Sequence, residues 1–188
     1  MTLTTLIIIV LFILVLLCGG YVISTYNKFI KMKNDCDEAF STMDVYLKKR
    51  YDLIPNIVET VKGYASHEKE TLENVIKARD MAQGANEISD KIAGENAISS
   101  TLKSLFAIAE AYPDLKANTN FLDLQNQLKL IEEDIANSRK FYNGVVKTFN
   151  TRTETFPSNL IAGIFKFTGR PLYEVDNEAE RQNVKVSF

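Results

Sequence analysis

Residues 3–23 read LTTLIIIVLFILVLLCGGYVI, and this stretch decides the architecture of the chain. As an α-helix it would extend about 31 Å, close to the hydrocarbon thickness of a bilayer. The first charged side chain of the sequence is Lys28. A helix satisfies its backbone polar groups within one segment, as crossing lipid requires. The stretch therefore predicts an N-terminal transmembrane helix that contacts membrane lipid through residues 3–23.

Three other interpretations of this stretch fit less well. A cleaved signal peptide needs basic residues at its start and a shorter apolar core. A lipoprotein would be modified at Cys18, but the bulky Leu17 precedes it where a small residue is expected. A buried core helix would need neighbouring segments that are apolar enough to enclose it, and the sequence offers none. We therefore expect residues 1–25 to be an anchor that stays on the protein.

The orientation follows from the basic residues beside the predicted span. Lys28, Lys31 and Lys33 lie just after it, whereas no lysine or arginine lies before it. The positive-inside rule then places the N-terminus outside the cell membrane and the rest of the chain in the cytoplasm. We therefore expect a single pass through the membrane.

The rest of the chain shows helical periodicity and almost no strand signal. Apolar residues recur every three or four positions from Phe29 to Val61 and from Phe121 to Phe149. Such stripes are typical of helices that bury one face. Pro55 lies inside the first stripe and should bend the helix without ending it. Two further helices are expected, one ending near Gln83 and one from about Ser89 to Tyr112.

These patterns predict an all-α protein, in which a transmembrane helix precedes an up-and-down bundle of four long helices over residues 26–155. The two middle helices could instead form one broken helix of a three-helix bundle, and periodicity alone leaves that choice open. Residues 156–188 are expected to form an apolar segment and a flexible tail. The segment FPSNLIAGIFKF, at 156–167, would either cover the open end of the core or dip into the lipid interface.

Three stretches resemble the LemA family. They read RYDLIPNIVETVKGYASHEKETLENV at 50–75, LFAIAEAYPDLKANTNFLDLQNQL at 105–128 and FYNGVVKTFNTRTETFPSNLIAGIF at 141–165. The resemblance covers nearly the whole chain, including the position of the anchor. It implies a four-helix up-and-down bundle behind one transmembrane helix in a bacterial inner membrane, and so favours four helices over three. It implies no specific activity.

The sequence predicts no catalytic, cofactor or metal site. His67 is the only histidine, and the two cysteines are far apart, so a zinc site lacks ligands. No nucleophile motif or phosphate-binding loop occurs. The balance of 22 basic and 24 acidic residues argues against a nucleic-acid partner. We therefore expect a protein that is not an enzyme and needs no cofactor.

The remaining candidates are interaction residues. Arg50, Asp52, Pro55 and Asn56 place polar groups beside a backbone carbonyl that Pro55 leaves without its helical donor. We expect Asn56 or Arg50 to satisfy that carbonyl. The C-terminal Phe188 ends an extended stretch that a partner could bind as an added strand.

These features favour a membrane-anchored scaffold or adaptor. Its partners would be other membrane or membrane-associated proteins, or further copies of itself. The alternative function is an extracytoplasmic sensor, or a regulator of a membrane protease or other enzyme, which would need a polar cavity between its helices.

Overall fold

A computed structural model describes residues 2–85 and 87–173, and these residues form helices joined by short loops. The bounds of the helices are α1 Leu3–Lys62, α2 Lys69–Gly84, α3 Ile88–Ala111, α4 Pro113–Lys116, α5 Thr119–Glu154 and α6 Ser158–Ile164. No strand occurs among the described residues. The predicted all-α class is confirmed.

The predicted anchor and the first amphipathic helix form one uninterrupted element. Helix α1 has 60 residues and includes Pro55 in its interior, so it extends about 90 Å. Its N-terminal part is long and apolar enough to cross a membrane, and that part is not buried anywhere in the structure. The exposed side chains there include Leu11, Phe12 and Leu14. No loop therefore separates the candidate span from the helix that follows it.

The described chain divides into two compact units. One unit contains residues 42–139 and Tyr173. Within it α2 and α3 both contact the second half of α1, and α3 also contacts the first half of α5. Its apolar core is formed by Met43, Leu47, Ile54, Ile57, Val61, Leu72, Val75, Ala82, Ile98, Leu102, Leu105, Phe121, Leu128 and Ile135. Helices α2 and α3 are separate and fold back on each other rather than forming one broken helix. This resolves the open choice in favour of four helices.

The turn from α2 to α3 depends on a close approach at Gly94. A Cβ atom at this position would lie 2.5 Å from the Cα of Ala82 and 2.7 Å from its Cβ. Real Cβ atoms do not come so near a backbone atom, so a side chain here would force the two helices apart.

We expect Gly94→Ala to lower the free energy of unfolding by about 1–3 kcal/mol, as overpacking usually does. The matched control is Gly144→Ala in α5, where a Cβ would meet nothing within 4 Å. That control should stabilise the helix by about 0.5–1 kcal/mol. Urea unfolding of both variants measures the difference, and equal effects would disprove the close approach.

The other unit contains residues up to Ser41 together with Lys140–Leu172. In it, the ring of Phe29 packs edge-on against Phe149 at 6.1 Å and stacks on Phe167 at 4.9 Å. The side-chain amide of Asn150 donates to the carbonyl of Arg170 and its oxygen accepts from the Arg170 N–H, both at 2.8 Å. The segment after α6 is therefore fixed beside α1 and α5.

Candidate functional site

A buried cluster of charged side chains lies among the helices of the unit formed by residues 42–139. Arg50 from α1 is 0% exposed and Glu95 from α3 is 1% exposed, and the two form an ion pair. The Nη1 of Arg50 also donates to the Oε1 of Glu132 on α5 at 2.6 Å. The Nη2 of Arg139 lies 3.5 Å from the Oε2 of Glu95. Three helices thus meet at a pair of arginines and a pair of carboxylates.

Two tyrosines complete this buried cluster. The hydroxyl of Tyr51 donates to the Oε1 of Glu95, and the guanidinium of Arg139 lies 4.8 Å from the centre of the Tyr173 ring. The charges of the two arginines and the two glutamates cancel, so the cluster is electrically balanced without a ligand. Buried ion pairs are costly to desolvate, and their best-attested use is to fix the register of packed elements. The arrangement suits a fixed alignment of α1, α3 and α5.

Burial raises the pKa of Tyr51 from 10.0 to about 12, because its phenolate would lose hydration inside the bundle. The positive charge of Arg50 opposes this shift, and the negative charge of Asp44 adds to it. The raised pKa means that the folded protein holds the Tyr51 proton more tightly than the unfolded chain does.

The stability contributed by this group is therefore complete below pH 10 and is lost as the pH rises toward about 12. We expect the loss to be about 2–3 kcal/mol. Chemical denaturation from pH 8 upward would compare the protein with its Tyr51→Phe variant. The variant should be less stable at neutral pH and should lose less stability above pH 10. Parallel curves would show that Tyr51 does not titrate differently on folding.

The carbonyl that Pro55 leaves without its helical donor is satisfied from another helix. The Nε of Arg79, on α2, donates to the oxygen of Tyr51 at 3.2 Å. The prediction that Asn56 or Arg50 would fill this role is wrong. Arg50 is engaged by Glu95 and Glu132, and Asn56 is exposed.

We expect Arg79→Met to destabilise the protein by about 1–2 kcal/mol, because the carbonyl of Tyr51 then loses its donor. In a Pro55→Ala background the backbone N–H of residue 55 can bond to that carbonyl, so the same substitution should cost less. A double-mutant cycle in urea measures the difference. An unchanged cost would show that Arg79 acts through some other contact, such as its ion pair with Asp80 at 2.8 Å.

Comparison with known proteins fits this architecture. Residues 39–188 match the sequence profile of the LemA family. The chain belongs to the LemA family. Protein LemA of Metamycoplasma hominis is 24% identical over 162 residues, which cover 86% of this chain and 74% of that protein.

Two magnetosome proteins are also similar to this LemA family member. Magnetosome protein MamQ 2 of Paramagnetospirillum magneticum is 24% identical over 168 residues. Magnetosome protein MamQ of Magnetospirillum gryphiswaldense has the same identity over the same length. In both cases the match covers 76% of this chain and 62% of the relative, so the chain spans less than two thirds of those proteins.

The structure separates the predicted interaction residues of this LemA family protein. Arg50 belongs to the buried cluster, whereas Asp52 and Asn56 point outward as exposed residues and Pro55 is half-buried. Phe188 lies outside the described residues. The sequence offered one signal for the cluster, since Arg50 occupies a position on the apolar stripe between Leu47 and Ile54. It offered none that Glu95, Glu132 or Arg139 would meet Arg50.

The described residues bring together no group of three histidine, cysteine, aspartate or glutamate side chains that could hold a metal ion. Near the candidate span, Asp37 forms an ion pair with Arg170 at 2.6 Å. His67 is exposed in the loop before α2.

Proposed function

We propose that this protein is a membrane-anchored scaffold that acts without catalysis, by binding other membrane proteins or further copies of itself through its helical surfaces. The observation that carries the proposal is the continuity of α1. An exposed apolar segment leads without a break into the helix that supplies Arg50 to the buried cluster. The same helix therefore carries both the candidate lipid contact and a member of the buried cluster.

Membrane anchorage supports such a role because it confines the protein to two dimensions. Binding partners in the same membrane then meet at a raised effective concentration, so modest interfaces suffice. The three lysines after the span favour a cytoplasmic position for the helices in a bacterial cell membrane.

Single large apolar side chains on the outer surface offer places to detect a partner. Leu130 on α5 is such a side chain and is 62% exposed, and the exposed charged residue Lys77 on α2 is the comparison position. We would place a photo-crosslinking amino acid at each position in turn in the full chain and irradiate intact membranes. The scaffold proposal expects adducts of two chains, or of the chain with an integral membrane protein, from at least the Leu130 position. A monomer alone from both positions would contradict it.

The sensor alternative is favoured by one observation. Glu132 is 39% exposed and links the buried Arg50 to an open groove of about 380 Å³ that Gln125, Asn126 and Lys129 help to line. A ligand in this groove that displaced Glu132 would alter the buried cluster directly. This function requires the helices on the outer side of the membrane, so the two proposals differ in topology.

A further inference from the structure

Helix α6 lies beside the point where α1 would leave the membrane. The ring of Tyr26 contacts Phe165 at 4.8 Å and Phe167 at 5.8 Å. Tyr26 follows the last residue of the apolar stretch, Ile23, by about 4.5 Å along the helix axis. The end of α6 is therefore placed at the depth of the membrane–water interface, provided that the proposed anchorage of α1 holds.

The outward face of this short helix is apolar. Ile161 and Ala162 point inward and are buried, whereas Leu160 is 58% exposed and Ile164 is 73% exposed. Phe156, just before the helix, is also large and apolar and is 75% exposed. A row of large exposed apolar side chains marks an interaction site rather than an ordinary water-facing surface.

A basic groove lies next to this row. It has a volume of about 630 Å³, and Tyr21, Phe156 and the cations Lys28, Lys147 and Arg152 help to line it. None of the described residues that line it is acidic. Among the described residues, these three cations form no ion pair within 4.0 Å. The groove thus concentrates positive charge at the depth where phospholipid phosphates lie.

We propose that α6 and this groove form a second contact with the membrane. The outward face of α6 rests in the boundary between headgroups and acyl chains, and Lys28, Lys147 and Arg152 bind the phosphate of an anionic phospholipid. Aromatic and aliphatic side chains beside lysine and arginine are the composition of segments that lie in this interface. Lipid is the occupant because the groove is continuous with the candidate span through Tyr21 and Lys28.

The chain contains no tryptophan, so single tryptophans can report the depth of chosen positions. The full chain would be reconstituted into vesicles containing brominated phosphatidylcholine or brominated phosphatidylglycerol. Each lipid would carry its bromine either near the headgroup or deep in the acyl chains. Leu160→Trp tests α6, and Leu14→Trp tests the span. Phe141→Trp is the control, because Phe141 is 61% exposed and its neighbour Tyr142 contacts Phe40 at 5.8 Å. Phe40 lies about 21 Å beyond Tyr26 along α1.

We expect bromine near the headgroups to quench Leu160→Trp, bromine deep in the chains to quench Leu14→Trp, and neither to quench Phe141→Trp. Brominated phosphatidylglycerol should quench Leu160→Trp more than brominated phosphatidylcholine does. Replacing each of Lys28, Lys147 and Arg152 with glutamine should lower this preference roughly fivefold per cation, since each contributes about 1 kcal/mol near an anionic surface.

Emission from Leu160→Trp that matches Phe141→Trp, with Leu14→Trp still quenched, would overturn this inference and leave the anchorage intact. Equal quenching by the two lipids would overturn the assignment of the groove to an anionic headgroup. An unquenched Leu14→Trp would overturn the anchorage itself, and this inference with it.

Discussion

Replacing Glu95 with leucine should lower the free energy of unfolding by about 3–5 kcal/mol, because it leaves buried positive charge without its main partner. Arg50 is 0% exposed, so its guanidinium cannot reach water when the carboxylate is removed. Arg139 loses the same partner, and the hydroxyl of Tyr51 loses its acceptor. Urea unfolding at pH 7 would measure the loss.

A second substitution separates the cost of a broken pair from the value of the pair. In the Arg50→Met, Glu95→Leu double variant both buried charges are gone, and replacing a buried ion pair by apolar side chains of similar volume is often neutral. We therefore expect the double variant to regain much of the stability lost by Glu95→Leu. Glu133→Leu, at an exposed position of α5, serves as the control and should change stability by less than about 0.5 kcal/mol. The variant Arg50→Met alone completes the comparison. If the loss of stability in the double variant equals the sum of the losses in Glu95→Leu and Arg50→Met, Arg50 and Glu95 are not coupled.

The combined substitution Leu11→Arg, Leu14→Arg should release the protein from the membrane fraction. Each arginine at the centre of a span costs about 2.5–3.5 kcal/mol, and each leucine that it replaces contributes about 0.5 kcal/mol. The pair therefore opposes insertion by about 6–8 kcal/mol. Both positions are exposed in the structure, so the substitutions leave the packed core untouched.

The matched control for this experiment is Leu11→Ile, Leu14→Ile, which keeps the segment apolar and should stay in the membrane fraction after extraction with urea. The two variants would be compared by membrane sedimentation and by far-ultraviolet circular dichroism. An arginine variant that sediments as the control does would show that residues 3–23 do not hold the protein in lipid.

The order and approximate bounds of the long helices α2, α3 and α5 could be predicted because they depend on local patterns. The union of the anchor with the first amphipathic helix in α1, and the short helices α4 and α6, were not predicted. The run of Ile and Leu after Leu6 and the stripes in α1 and α5 are periodic in sequence, and periodicity reports which face of a helix is buried. The continuity of α1 through Pro55 followed from the stripe that resumes at Ile57. The choice between three and four helices needed contacts, in particular that of Gly94 with Ala82.

The partners of the buried cluster could not be predicted from sequence, because they lie on different helices. Glu95 comes 45 positions after Arg50, and Glu132 comes 82 positions after it. Their meeting depends on how the helices are aligned, which no single stripe contains. Arg79 reaches the carbonyl of Tyr51 for the same reason. The predicted donors, Arg50 and Asn56, lie close to Pro55 in sequence, whereas the observed donor belongs to α2.

The central claim is that α1 crosses the membrane and holds the other helices on the cytoplasmic side. Cysteine labelling in intact cells tests it most directly, in a background of Cys18→Ser and Cys36→Ala. A membrane-impermeant maleimide would be applied to Thr2→Cys, before the span, and to Ser66→Cys, in the exposed loop before α2. We predict that Thr2→Cys reacts at once and that Ser66→Cys reacts only after lysis. The reverse pattern would contradict the cytoplasmic placement and favour the sensor, and equal reactivity of the two positions would contradict the transmembrane span.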